Sequence, residues 1–172
     1  MGMQLIFCVE ADAVCKSDFI YIKQVIRNFY SIDYANVRVT PVYMDGKGNY
    51  ASPKTNRTVK KWIKDYAAGN KRGKSQVIYC FDCDSFDSKP EDQNFLSQAE
   101  KYCRDNGFEF VWFCKDIEHV FLGKRIASNL KKKEAESFSR KNLIANVSLE
   151  NLKCNRFQDK KSNLCIVLDK YL

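Results

Sequence analysis

The sequence has one histidine, His119, among its 172 residues. Without a second histidine or a neighbouring nucleophile it makes no catalytic triad. As a lone imidazole it reads as a packed or surface side chain, or as a substrate contact. Glycine is also scarce, with 7 in the chain, and no glycine-rich loop follows the first apolar run. That argues against the phosphate cradle used by nucleotide- and flavin-binding α/β domains. No apolar run approaches the roughly 20 residues needed to cross a bilayer. Met1 to Val9 has neither a basic region nor a small-residue cleavage site, so no secretory signal, no membrane association and a reducing, cytoplasmic setting are expected.

Cysteine, by contrast, is plentiful, with 8 residues. In a reducing compartment they do not imply a disulfide framework. Cys8 in LIFCV, Cys114 in FVWFC and Cys165 in LCIVL lie inside apolar runs, where a thiol behaves as a small hydrophobe. Cys80 and Cys83 form a Cys-x-x-Cys, but on a strand end among acids, unlike the helix start of a redox motif. A zinc site would need a second pair, and Cys103 and Cys114 lack the spacing.

The chain length fits one domain. Its net charge of +8 favours a polyanionic partner such as nucleic acid, DNA or RNA, because clustered Lys and Arg displace counterions from phosphates. Strand-like and helix-like segments alternate. Gln4–Glu10, Asn36–Tyr43, Gln76–Phe81 and Phe108–Cys114 read as strands, with Pro41 hinting at an edge or bulge. Ser17–Tyr30, Thr55–Ala68 and Pro90–Asn106 read as helices, the first capped by Ser17 or Asp18. Asp45 to Gly48 is a turn. This order predicts an α/β fold: a three-layer, mostly parallel sheet of at least four strands with helices on both faces. Residues 1–122 form the expected core. Residues 123–172 form a basic C-terminal extension packing on it, in which Ser148–Leu152 suits a short helix and Ser162–Leu172 a last helix or a strand.

Ligands of such sheets bind beyond the carboxyl ends of the strands, and two strands here end in acids. The first runs into Glu10, and the third into Asp82-Cys83-Asp84. Residues two apart on an extended segment face the same way, so Asp82 and Asp84 are expected to aim at one point. If the strands are neighbours, Glu10 joins them. Three crowded carboxylates repel one another unless a hard cation offsets the cost, and oxygen ligands suit Mg2+ or Mn2+.

This order of elements and acids resembles the Toprim domain, the metal-binding fold of topoisomerases, primases and some nucleases, with its Glu after the first strand and its Asp-x-Asp after the third. More closely, the chain is similar to the small RloB-like Toprim proteins of bacterial defence and restriction loci. The helix segment Asp18–Lys23, the stretch Lys115–Leu122 and Ser162-Asn163 before an apolar run support the likeness. The family has Gly after the Glu, often with another acid a few positions on; here Ala11 follows, with Asp12 or Asp18 to supply the acid. Ile117 stands for the Phe of the family's Phe-Glu pair.

The resemblance implies that Glu10, Asp82 and Asp84 hold Mg2+ or Mn2+. It adds Glu118 as an outer ligand or base, although a helix N-terminal charge is an equal reading. Lys115 and Lys124 would neutralise charge on a phosphate. Lys124, Arg125, Lys131 and Lys132 belong to one basic stretch, and Arg57 and Lys61 to another that extends through Lys71, Arg72 and Lys74; two clusters flanking an acidic site suit nucleic acid. A metal-dependent endonuclease of bacterial defence, acting on DNA or on RNA such as tRNA, is the expected function. The alternative is an inactive Toprim-like module that docks a partner such as an ATPase, a reading motivated by Ala11.

Overall fold

The computed structural model describes residues 2–172. Four strands form one parallel sheet: β1 (Met3–Val9), β2 (Val37–Tyr43), β3 (Lys74–Asp82) and β4 (Glu109–Phe113), in the order β2-β1-β3-β4. β1 therefore lies in the middle and pairs with both β2 and β3. β2 is an edge strand, as Pro41 suggested. A proline has no N–H to give a ladder, and here it stands opposite Phe7 with no further strand outside it.

Alternation along the strands sorts side chains into two cores. Leu5, Phe7 and Val9 of β1 join Ile78 and Cys80 of β3 on one face. They pack with Ile22, Val25 and Ile26 of α1 (Ser17–Phe29), with α4 (Ile117–Leu122), α5 (Lys131–Arg140) and α6 (Leu164–Leu168). Ile6, Cys8, Tyr79 and Phe81 face the other way, against α2 (Pro53–Gly69) and α3 (Pro90–Asp105). The result is the three-layer arrangement expected. Residues of the basic C-terminal segment, among them Phe138, Leu164 and Leu168, are part of the first core. Each such fully buried side chain contributes about 2 kcal/mol.

Local signals explain where the elements begin. α2 starts earlier than Thr55 because Ser52 caps it, accepting from Thr55 N–H at 3.2 Å, and Pro53 fills the first position. Asp116 caps α4 by accepting from His119 N–H at 2.7 Å. α1 departs from expectation, since neither Ser17 nor Asp18 caps it; its cap position is Lys16, in a left-handed conformation. The Asp18 carboxylate instead accepts from Ala11 N–H at 2.9 Å. The last apolar run is a helix rather than a strand. Ser162 makes only an isolated bridge to Phe113, and its hydroxyl accepts from Leu164 N–H at 3.1 Å.

Among the described residues, no helix is long and apolar enough to cross a membrane. The cysteines are all free thiols, and six of them are buried, including Cys80 and Cys83.

Candidate functional site

Adjacent β1 and β3 deliver their terminal acids to one place. The Glu10 carboxylate accepts a hydrogen bond from the Asp82 backbone N–H at 2.8 Å, and the Asp82 carboxylate accepts from Ile117 N–H at 2.9 Å. The chain is wrapped over Glu10 by the loop after β2, whose Gly46 donates its N–H to the Glu10 carbonyl at 2.9 Å. Gly46 has φ 106°, which a residue with Cβ rarely adopts. Glu10, Asp18, Asp82 and Lys131 line a cleft of about 290 Å3.

Burial sets the electrostatics here. Desolvation, reinforced by Asp18 and Asp84, pushes the Glu10 carboxyl up to about 8 against the opposing effect of the Asp82 N–H. Desolvation and the nearby Glu10 and Asp18 charges hold Asp82 well above the usual carboxylate range. Removing these charges from water is costly unless something positive replaces the solvent.

Asp84 behaves differently. It has φ 49°, so the extended register expected past Asp82 does not continue, and the two carboxylates do not follow strand alternation. The Asp84 N–H donates to the Lys115 carbonyl at 2.6 Å, while its side chain pairs with the Lys47 ammonium. Lys47 also lies 3.3 Å from Asp92 and 4.7 Å from the Phe95 ring centroid. Burial opposes its charge, but Asp84 and Asp92 outweigh that and raise its pKa.

Glu118 has no exposed surface. The Lys131 ammonium, brought by the start of α5, stands 2.9 Å from its Oε2, yet neither carboxylate oxygen receives an aligned hydrogen bond. Desolvation raises the Glu118 pKa despite Lys131. Lys131 itself is raised: burial works against its charge, and Glu118 and Asp82 more than offset it.

Asp12 sits in the exposed loop, accepting from Val14 and Cys15 N–H, and of the two candidates for the missing acid it is Asp18 that is buried and engages Ala11, by accepting from its N–H. Ala11 is not among the residues with positive φ, so nothing in the backbone angle demands glycine there. Lys115, Lys124 and Arg125 line a neighbouring cleft, and Lys132 is exposed on α5. Arg57 and Lys61 are exposed on α2. Lys71, Arg72 and Lys74 do not flank the acids. Lys74 opens β3 and Asp82 closes it, so that part of the second basic cluster lies at the far end of the sheet.

Among the described residues, no group of three or more His, Cys, Asp and Glu side chains is gathered closely enough to hold one metal ion. Glu10 and Asp82 form a pair, with Asp84 and Glu118 each engaged by a lysine. A pair is chemically suited to Mg2+, which is commonly bound by one or two carboxylates and completes its shell with waters and phosphate oxygens. Lys47, Asp92 and Asp159 were missed in the sequence. Their partners are 37 or more positions away for Lys47 and Asp159, and no local spacing announces such contacts. No protein-family model and no curated protein matches the chain.

Proposed function

We propose that the protein is a divalent-cation-dependent nuclease, with Glu10 and Asp82 as its central acids. The supporting observation is the Glu10–Asp82 contact, in which the Glu10 carboxylate accepts from the Asp82 backbone N–H and so brings two acids from neighbouring strands together at the carboxyl end of a parallel sheet. When bound, Mg2+ or Mn2+ supplies positive charge that offsets the two acids and polarises a phosphate oxygen. Glu10 and Asp82 each have one oxygen on a backbone donor, which fixes their direction and leaves each a second oxygen for a ligand. Glu118 lies beneath the cleft and acts through Lys131, whose ammonium it positions. Lys115, Lys124 and Arg125, together in one neighbouring cleft, supply positive charge for phosphate on that side of the acids. The net charge of +8 supports a nucleic-acid substrate. A role in bacterial defence and a partner ATPase rest on the RloB-like resemblance alone, and a cytoplasmic location on the signal and cysteine pattern of the sequence.

The test is cleavage of mixed DNA and RNA substrates with Mg2+ or Mn2+. Wild-type protein is expected to cleave and Asp82→Ala to be inactive; equal activity in the two would end the proposal.

One observation favours a second reading. Asp84 and Glu118 already have lysine partners, so part of the acidic charge is neutralised internally, as in a module that binds without cleaving. Absence of Mn2+ affinity together with a stable complex with another protein would select it.

A further inference from the structure

On the β4 side of the acids lies a separate cleft of about 410 Å3, lined by Ser85, Asp87, Lys115, His119, Lys124 and Arg125. Its wall is continuous with the acid-bearing loop through the Asp84 N–H to Lys115 carbonyl bond. Both residues of that bond have left-handed backbone, φ 49° for Asp84 and φ 65° for Lys115. Non-glycine residues stay in that region only where their surroundings hold them there.

Three permanent cations, Lys115, Lys124 and Arg125, face this cleft against one lining carboxylate, Asp87. Two further acids pair with residues of the lining. Asp159 is 3.4 Å from Lys115 and 2.8 Å from His119 Nε2, and Asp116 is 3.6 Å from Arg125. Pairs this exposed add little stability. What they do is orient the cationic groups that line the cleft. Lys160 adds a further positive charge nearby, with its ammonium next to Gly123.

A phosphodiester inside a strand carries one negative charge. A phosphomonoester carries between about 1.5 and 2 at neutral pH and offers three strong acceptor oxygens. Charge-assisted bonds from Lys and Arg reward that difference. A concave cleft also receives a chain end more readily than a strand passing across it. We propose that the cleft formed by Lys115, Lys124 and Arg125 is a phosphomonoester subsite that seats the terminal phosphate of a nucleic-acid strand beside the Glu10–Asp82 site. The strand as ligand rests on the nuclease proposal above; the affinity for a phosphomonoester needs neither metal nor cleavage.

The test uses full-length protein in EDTA. Binding of fluorescent 12-nucleotide RNA and DNA probes carrying a 5′-phosphate, a 3′-phosphate or only hydroxyl ends is followed by anisotropy, with AMP as competitor. One phosphorylated end should bind about tenfold more tightly than the hydroxyl form. The Lys124→Ala/Arg125→Ala double variant should abolish that preference; both residues are exposed, so folding is not at stake. Equal affinity for all ends with no displacement by AMP, or a preference that survives the double variant, overturns the subsite. Displacement by AMP without any end preference would show phosphomonoester binding but overturn the strand-end assignment. An end preference in a protein that cleaves nothing with Mn2+ would sink the nuclease proposal and leave the subsite standing.

Discussion

The Glu10 carboxylate is hydrogen-bonded to the Asp82 backbone N–H at 2.8 Å. The contact spans 72 positions of sequence and joins the ends of two neighbouring parallel strands. It holds one acid against another in a setting from which water is largely removed, so the pair is a cost to the fold until a cation meets it.

That cost gives a pH dependence. Burial pushes Glu10 from 4.5 to about 8, so between those values the folded chain keeps a proton that the unfolded chain has lost. The contribution to stability is fully present below about pH 4.5 and is lost as pH rises through 8; Asp82, also raised, has the same sign. Urea denaturation without divalent cations should show lower stability at pH 8 than at pH 5. Glu10→Gln should flatten much of that difference.

Lys131 is the counter-charge of a fully buried acid. Lys131→Met leaves Glu118 buried without its counter-charge and should cost about 3 kcal/mol in urea denaturation at pH 7. The double variant with Glu118→Gln should recover most of the loss, because no charge is then left buried. No recovery would mean that Lys131 matters for packing alone.

Asn163 closes the outer edge of β4. Its side chain accepts from Trp112 N–H and donates to the Phe110 carbonyl, both at 2.9 Å, while the Ser162 hydroxyl donates to the Trp112 carbonyl at 2.7 Å. The side chain thus stands in for the strand that the sheet lacks on that side. Asn163→Ala should destabilise by about 1–3 kcal/mol. It also exposes an unpaired strand edge, so concentration-dependent association should appear in light scattering.

Much of this arrangement is legible in the sequence because apolar periodicity is local. The four strands, the helices on both faces and the edge position of β2 follow from short windows around Phe7, Pro41, Tyr79 and Val111. The acids at the strand ends are legible for the same reason. Asp84 is not, because the change from extended to left-handed backbone at the end of β3 depends on its bond to Lys115, 31 positions on. Asp18 looks like a helix cap from its neighbours and is instead drawn to Ala11. The second basic stretch looks continuous in sequence, yet α2 carries it from one end of the sheet to the other, about 25 Å for 17 residues of helix.

The most direct test is calorimetric titration of the protein with Mn2+ at pH 8, comparing wild type with Glu10→Gln and Asp82→Asn. Wild type should bind Mn2+, more weakly as the pH is lowered towards 6, and both variants should lose most of that affinity. Binding of equal strength in all three proteins, or none in wild type, would contradict a cation site built on Glu10 and Asp82.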